Sequence, residues 1–171
     1  MDSSAQLFLD YSARKLRQLT TRIEDCLGRL TEEQIWARGT ESENAVGNLV
    51  LHLGGNLRQW IVSAVGGLPD TRRRDEEFAA RRGPAPTGLA VRLRETVNQA
   101  AAVLETLPPE RLTGHISVQN YDLTVLEAVY HVVEHFSGHT GQIIYATKLL
   151  TGKDLGYYRH LNKAAHSEQT P

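Results

Sequence analysis

His131-Val-Val-Glu-His135-Phe-Ser-Gly-His139-Thr-Gly-Gln142 is the stretch from which the rest of the chain can be read. Residues three and four apart share one face of a helix, so His131, His135, His139 and Gln142 form one polar stripe. The flanking Val129, Val132, Val133, Phe136, Ile143 and Ile144 are apolar, which turns the stripe toward a protein interior. Stacked imidazoles are costly to bury without a proton, a partner or a metal. Two imidazoles one turn apart can point at one ion, and neutral imidazole suits Zn, Ni, Cu or Fe.

Outward from this stripe, the sequence reads as helices. Thr124-Val-Leu-Glu127 is a capping box that opens the stripe's own helix, and Thr151-Gly152 closes it after Leu150. His115 to Asp122 alternates weakly and reads as extended. Before it, Leu89, Leu93, Val97, Ala100 and Leu104 mark a helix capped at Thr87 and stopped by Pro108-Pro109. An earlier helix runs from Asn44 to Ala64 with Val46, Leu49, Val50, Leu53, Leu57, Trp60 and Ile61 on its apolar face. Gly66-Gly67-Leu68-Pro69 ends it. The first helix spans Ser3 to Leu30, and Thr31-Glu-Glu-Gln34 caps a short turn holding Trp36. Four long helices predict an all-α four-helix bundle. The polar Pro69–Pro86 connection is long enough for a crossover. The expected organisation is one domain over residues 1–152 and a polar tail over 153–171, frayed at its end.

A second polar stripe faces the first. His52 sits in Asn48-Leu-Val-Leu-His52-Leu-Gly-Gly-Asn56, with Asn48 and Asn56 one turn to either side. Opposed polar stripes inside apolar helices are how bundles build metal sites in their cores. Gly47, Gly54, Gly55, Gly138 and Gly141 flank the two stripes. Each mid-helix glycine costs about 0.8–1.0 kcal/mol relative to Ala, which close helix approach or room for a ligand would justify.

His52-Leu-Gly-Gly-Asn-Leu-Arg-Gln-Trp60, followed by Glu134-His135-Phe-Ser-Gly-His139-Thr-Gly-Gln142, resembles the DinB-like superfamily of small helical metalloproteins. The likeness extends over nearly the whole chain. It implies an up-down-down-up bundle, often homodimeric, that binds a divalent transition metal, Zn or Ni foremost. It implies His52, His135 and His139 as ligands. Some relatives transfer low-molecular-weight thiols, others are presumed hydrolases, and many have no known reaction. Gln142, Asn48, Asn56, His131 and Glu134 are then candidates for contacts to the ligands or to a small-molecule substrate, such as a thiol. The competing reading is a non-catalytic, metal-stabilised or metal-sensing dimer. A cavity at the metal, walled by the 69–86 connection or the 115–122 segment, favours an enzyme; a closed four-coordinate ion favours the alternative.

Other classes find less support. His131-Val-Val-Glu134-His135 matches the H-x-x-E-H zinc-protease pattern, but only 36 residues follow His135. There are no paired E-x-x-H motifs for a di-iron site and no glycine-rich phosphate loop. Nineteen Lys and Arg against twenty Asp and Glu give a net charge of −1, which disfavours nucleic acid as a partner. Arg72 to Arg74 are interleaved with Asp70, Asp75, Glu76 and Glu77 and read as a solvated, ion-paired loop that Phe78 pins to the bundle. The single Cys26 excludes an internal disulfide and a cysteine-rich zinc site, and it reads as packing. No apolar run reaches the ~20 residues of a membrane span. The N-terminus carries no basic-then-apolar signal, so the expectation is a cytoplasmic protein.

Overall fold

The computed structural model describes residues 3–162. Helix α1 (Ser4–Leu27) starts where the Ser3 hydroxyl accepts from the Gln6 amide, and it buries Leu9, Ala13, Leu16, Thr20, Ile23 and Leu27 at helical spacing. The short α2 (Glu32–Trp36) opens on the Thr31/Gln34 capping box. Helix α3 (Val46–Leu57) passes without a break into a π-helical stretch, Arg58–Val65, that ends at Gly66 and left-handed Gly67 (φ 81°). After a long connection holding α4 (Arg74–Ala79) come α5 (Pro86–Thr106) and a 3₁₀ turn, Pro109–Thr113. Strands β1 (His115–Val118) and β2 (Tyr121–Thr124) form an antiparallel hairpin, with Val118 opposite Tyr121 and His115 opposite Thr124. Helix α6 (Val125–Thr151) follows from the Thr124/Glu127 capping box and closes at left-handed Gly152.

Two expectations shift here. Helix α5 begins at Pro86, not under a Thr87 cap; a proline at the first helical position lacks only an N–H that would have no partner there. The extended 115–122 segment is a full hairpin. Its two turn residues, Gln119 and Asn120, take φ of 50° and 65°, the left-handed pair that a two-residue hairpin turn requires.

Helix directions follow from cross-contacts. Arg17 pairs with Glu105 and Glu24 with Arg94, so α1 and α5 are antiparallel. Arg58 meets Gln99 and Gly66 backs onto Val103, so α3 and α5 run parallel. His52 faces His135 and Trp60 faces His131, so α3 and α6 are antiparallel. The order is up-down-down-up. Parallel α3 and α5 force the 68–85 connection to travel the length of the bundle, which carries it past His52.

Phe136, Leu16, Ile23, Leu53, Leu57, Ile61, Leu93 and Leu104 fill the core. Cys26 is fully buried among them. Beyond Gly152 the chain packs back: Leu155 is buried, and the Tyr157 hydroxyl donates to Asp25 Oδ2 at 2.8 Å, with Cys26 Sγ 3.4 Å away. The expected frayed end, 163–171, lies outside the described residues. Among the described residues no helix is long and apolar enough to cross a membrane.

Candidate metal centre

Helix α3 presents His52 inward, and α6 presents His135 and His139 one turn apart. His52 Nε2 lies 3.0 Å from His135 Nε2, and His139 Nε2 lies 3.1 Å from the same atom. The outer ring atoms are occupied. His52 Nδ1 is 3.1 Å from Glu77 Oε2, and His139 Nδ1 is 2.7 Å from Gln142 Oε1. An amide oxygen only accepts, so His139 Nδ1 carries the proton and its Nε2 presents a lone pair, whereas His52 Nδ1 stands between an acceptor, Glu77 Oε2, and a donor, Arg72 Nη2 at 3.0 Å, and either tautomer finds a partner there. A neutral His135 has one N–H at most for these two neighbours. Its own Nδ1 is buried without a partner. A divalent cation would suit this convergence: tetrahedral nitrogens about 2.0–2.1 Å from one ion lie about 3.3 Å apart, near the two spacings to His135 Nε2. His52, His135 and His139 are a group whose ligand atoms could hold a metal ion.

Electrostatics disfavour the charged forms of His135, His139 and His131. Burial, then the positive neighbours His139, His52, His131 and Arg72, push His135 down to about 3. Burial also lowers His139, against the opposing Gln142 bond, and lowers His131, against Glu134. Neutral imidazole is the form that binds metal. Burial alone would raise the Glu77 carboxyl, but hydrogen bonds from Arg72 and His52 outweigh it and hold Glu77 below the usual carboxylate range.

The crossover supplies this anchor, and the reading of it as a solvated loop is corrected. The Arg72 side chain is only 2% exposed. It forks onto Glu77, with Nε to Oε1 and Nη2 to Oε2 both at 2.8 Å, and its Nη1 donates to Gln59 Oε1 at 3.0 Å. Phe78 stacks on His52 at 4.7 Å between ring centroids. Arg73 and Arg74, by contrast, are exposed. The sequence pattern missed Arg72 and Glu77 because a connection has no periodicity to tell buried charge from solvated charge. The available signal was Gly55: a Cβ there would stand 1.9 Å from Glu77 Oε1.

The remaining candidates separate. Gln142 orients His139. Asn48 is fully buried but faces the crossover, donating to the carbonyls of Glu77 at 2.8 Å and Ala80 at 2.9 Å. Arg38 donates to the Asn48 side-chain oxygen at 2.7 Å and to the same Ala80 carbonyl. Asn48 thus fixes Glu77 and does not reach the histidines. Asn56 is buried without a hydrogen bond to them among the described residues. His131 stacks on Trp60, 4.4 Å between centroids, outside the three-histidine group. Glu134 is exposed, since it lies about 100° round the helix from His135. The H-x-x-E-H reading therefore loses its base and one ligand. Gly47 and Gly83 sandwich the Trp36 ring, whereas Gly54, Gly138 and Gly141 border open space.

A cavity of about 430 Å³ lies beside His131, walled by Gln119, Tyr121 and Leu123 of the hairpin and floored by Trp60; His52, His135 and His139 do not line it.

Residues 3–161 match the family described as a protein of unknown function, DUF1572. The chain belongs to the DUF1572 family. A crystal structure of a conserved protein from Enterococcus faecalis shares the DUF1572 chain's fold, with a TM-score of 0.70 at 20% identity, covering 90% of this chain and 100% of that one. Among curated proteins nothing matches.

Proposed function

We propose that this DUF1572 protein is a DinB-like metal-dependent enzyme that binds one divalent transition ion, Zn or Ni, through His52, His135 and His139. The observation that carries the reading is the convergence of the Nε2 atoms of His52 and His139 on that of His135, whose own Nδ1 is buried without a partner. Three protein ligands leave a coordination position for a substrate, unlike a closed structural site. Such an ion supplies Lewis acidity, polarising a carbonyl or phosphoryl oxygen or lowering the pKa of a thiol or water. The chain's own residues do the rest. Glu77 and Arg72 hold the His52 ring in place, Gln142 holds the His139 tautomer, and Phe78 covers one face of His52. The neighbouring cavity favours a small-molecule hydrolase or thiol transferase over a non-catalytic metal-stabilised protein. The chain works in the cytoplasm as a homodimer, which the exposed Leu126, Tyr130, Tyr145 and Leu149 of α6 support.

Cobalt substitution tests the site. One Co(II) per chain should give visible d–d bands, and a small added thiol should change them. Bands that ignore every added ligand would instead indicate a closed, non-catalytic ion, and no bands would remove the metal reading.

A further inference from the structure

Beyond the histidines, α6 continues the same face toward its N-terminus. His139, His135, His131 and Glu127 follow one another at four-residue steps. Glu127 is thus about 12 Å along the helix axis from His135. The cavity lies over the His131–Glu127 part of this face. Its floor is apolar and aromatic: Trp60, with the Tyr121 ring 6.3 Å away and tilted 38°, and Leu123. Its polar members are the Gln119 amide, His131 and Glu127.

Among these lining residues Glu127 carries the only full charge. That charge is fixed in place, because Glu127 Oε2 accepts from the Thr124 amide at 2.8 Å and the Thr124 hydroxyl at 2.6 Å. The Thr124 hydroxyl in turn takes the Glu127 amide, so these groups at the start of α6 are satisfied internally and are not offered to an outside anion. The opposite wall is fixed too. Gln119 at the hairpin tip donates to Gln59 at 2.6 Å, and Gln59 accepts from Arg72, the residue that anchors Glu77 beside His52. Hairpin and histidine cluster are therefore held in one frame.

We propose that this cavity takes a small organic molecule with a flat apolar body and no negative charge at its far end, its polar head directed past His131 toward the histidine cluster. Trp60, Tyr121 and Leu123 bind the body, Gln119 hydrogen-bonds its edge, and Glu127 rejects a distal carboxylate or phosphate. This rests on the proposed metal reading for the head alone; the body's selectivity belongs to the cavity.

Four probes with a common head test it on zinc-loaded protein by calorimetry: imidazole, 4-phenylimidazole, and 4-phenylimidazole bearing a para carboxylate or a para aminomethyl group. The phenyl ring should tighten binding at least about 10-fold over imidazole. Glu127 is solvent-exposed, so the carboxylate should bind about 2–5-fold more weakly than the parent aryl probe at low salt, and the aminomethyl probe at least as well as that parent. Glu127→Gln keeps an acceptor for the capping box and should abolish the penalty. Tyr121→Ala, at an exposed hairpin position, should reduce the phenyl gain. If imidazole binds the zinc but the phenyl adds nothing, the cavity proposal falls and the metal reading stands. The same order of aryl probes in zinc-free protein, with no gain from zinc, supports the cavity and removes the metal-directed head. Binding by none of the four overturns the cavity, as does a carboxylate penalty absent from the parent protein or unchanged in Glu127→Gln.

Discussion

Gly55→Ala and Gly54→Ala should have opposite effects, although the two residues adjoin in α3. In a helix interior Ala is favoured over Gly by about 0.8–1.0 kcal/mol. At Gly54 an added Cβ meets nothing within 4 Å, so that gain should appear as extra stability. At Gly55 the Cβ would stand 1.9 Å from Glu77 Oε1, 2.7 Å from Glu77 Cδ and 3.0 Å from Arg72 Nε. A carboxylate at the end of a free side chain would swing aside. This one is held by two Arg72 bonds and by His52. Displacing it breaks at least one charge-assisted bond, at about 1.5–3 kcal/mol. Set against the propensity gain, the net loss is about 1–2 kcal/mol. The His52 ring also loses its orienting partner, which typically weakens a metal about 10–100-fold. Urea unfolding with a chelator present reads the stability, and competition with a chromophoric chelator reads the affinity. A Gly55→Ala protein as stable as Gly54→Ala, with unchanged affinity, would refute the placement of Glu77 against α3.

Ala at His52, His135 or His139 should abolish stoichiometric metal, whereas His131→Ala should keep it with affinity reduced at most about 10–100-fold, as equilibrium dialysis would show. Arg72→Ala should weaken metal by a comparable factor while Arg73→Ala, at a side chain 77% exposed, changes nothing by the same measurement. The metal-free protein should lose stability as pH falls from about 6.5 toward about 3. His135, held down to about 3 in the fold, sheds a proton that the unfolded chain takes up near 6.5, so acid favours unfolding. His135→Gln should flatten that slope by an amount of order 1–3 kcal/mol across the window, measured by denaturant titration at each pH.

Much of the site was legible because helical residues announce themselves by spacing. His135 and His139 share a face by the four-residue rule, and His52 stood out as a polar residue between Leu51 and Leu53. The Thr124/Glu127 and Thr31/Gln34 boxes fixed two helix starts for the same reason: each motif is local. The crossover was not legible. Arg72 and Arg73 are neighbours in a charged run, yet one is buried against Glu77 and the other is in solvent. That difference arises only when parallel α3 and α5 draw the connection past Gly55. Asn48 was read toward the histidines because position alone cannot show that its amide holds the carbonyls of Glu77 and Ala80.

The most direct test of the three-histidine centre is the metal-to-protein ratio of the untagged protein, measured by elemental analysis beside its His52→Ala variant. The centre predicts about one transition-metal ion per chain in the parent and none in the variant. Equal metal in the two proteins, or none in the parent after exposure to Zn and Ni, would contradict it.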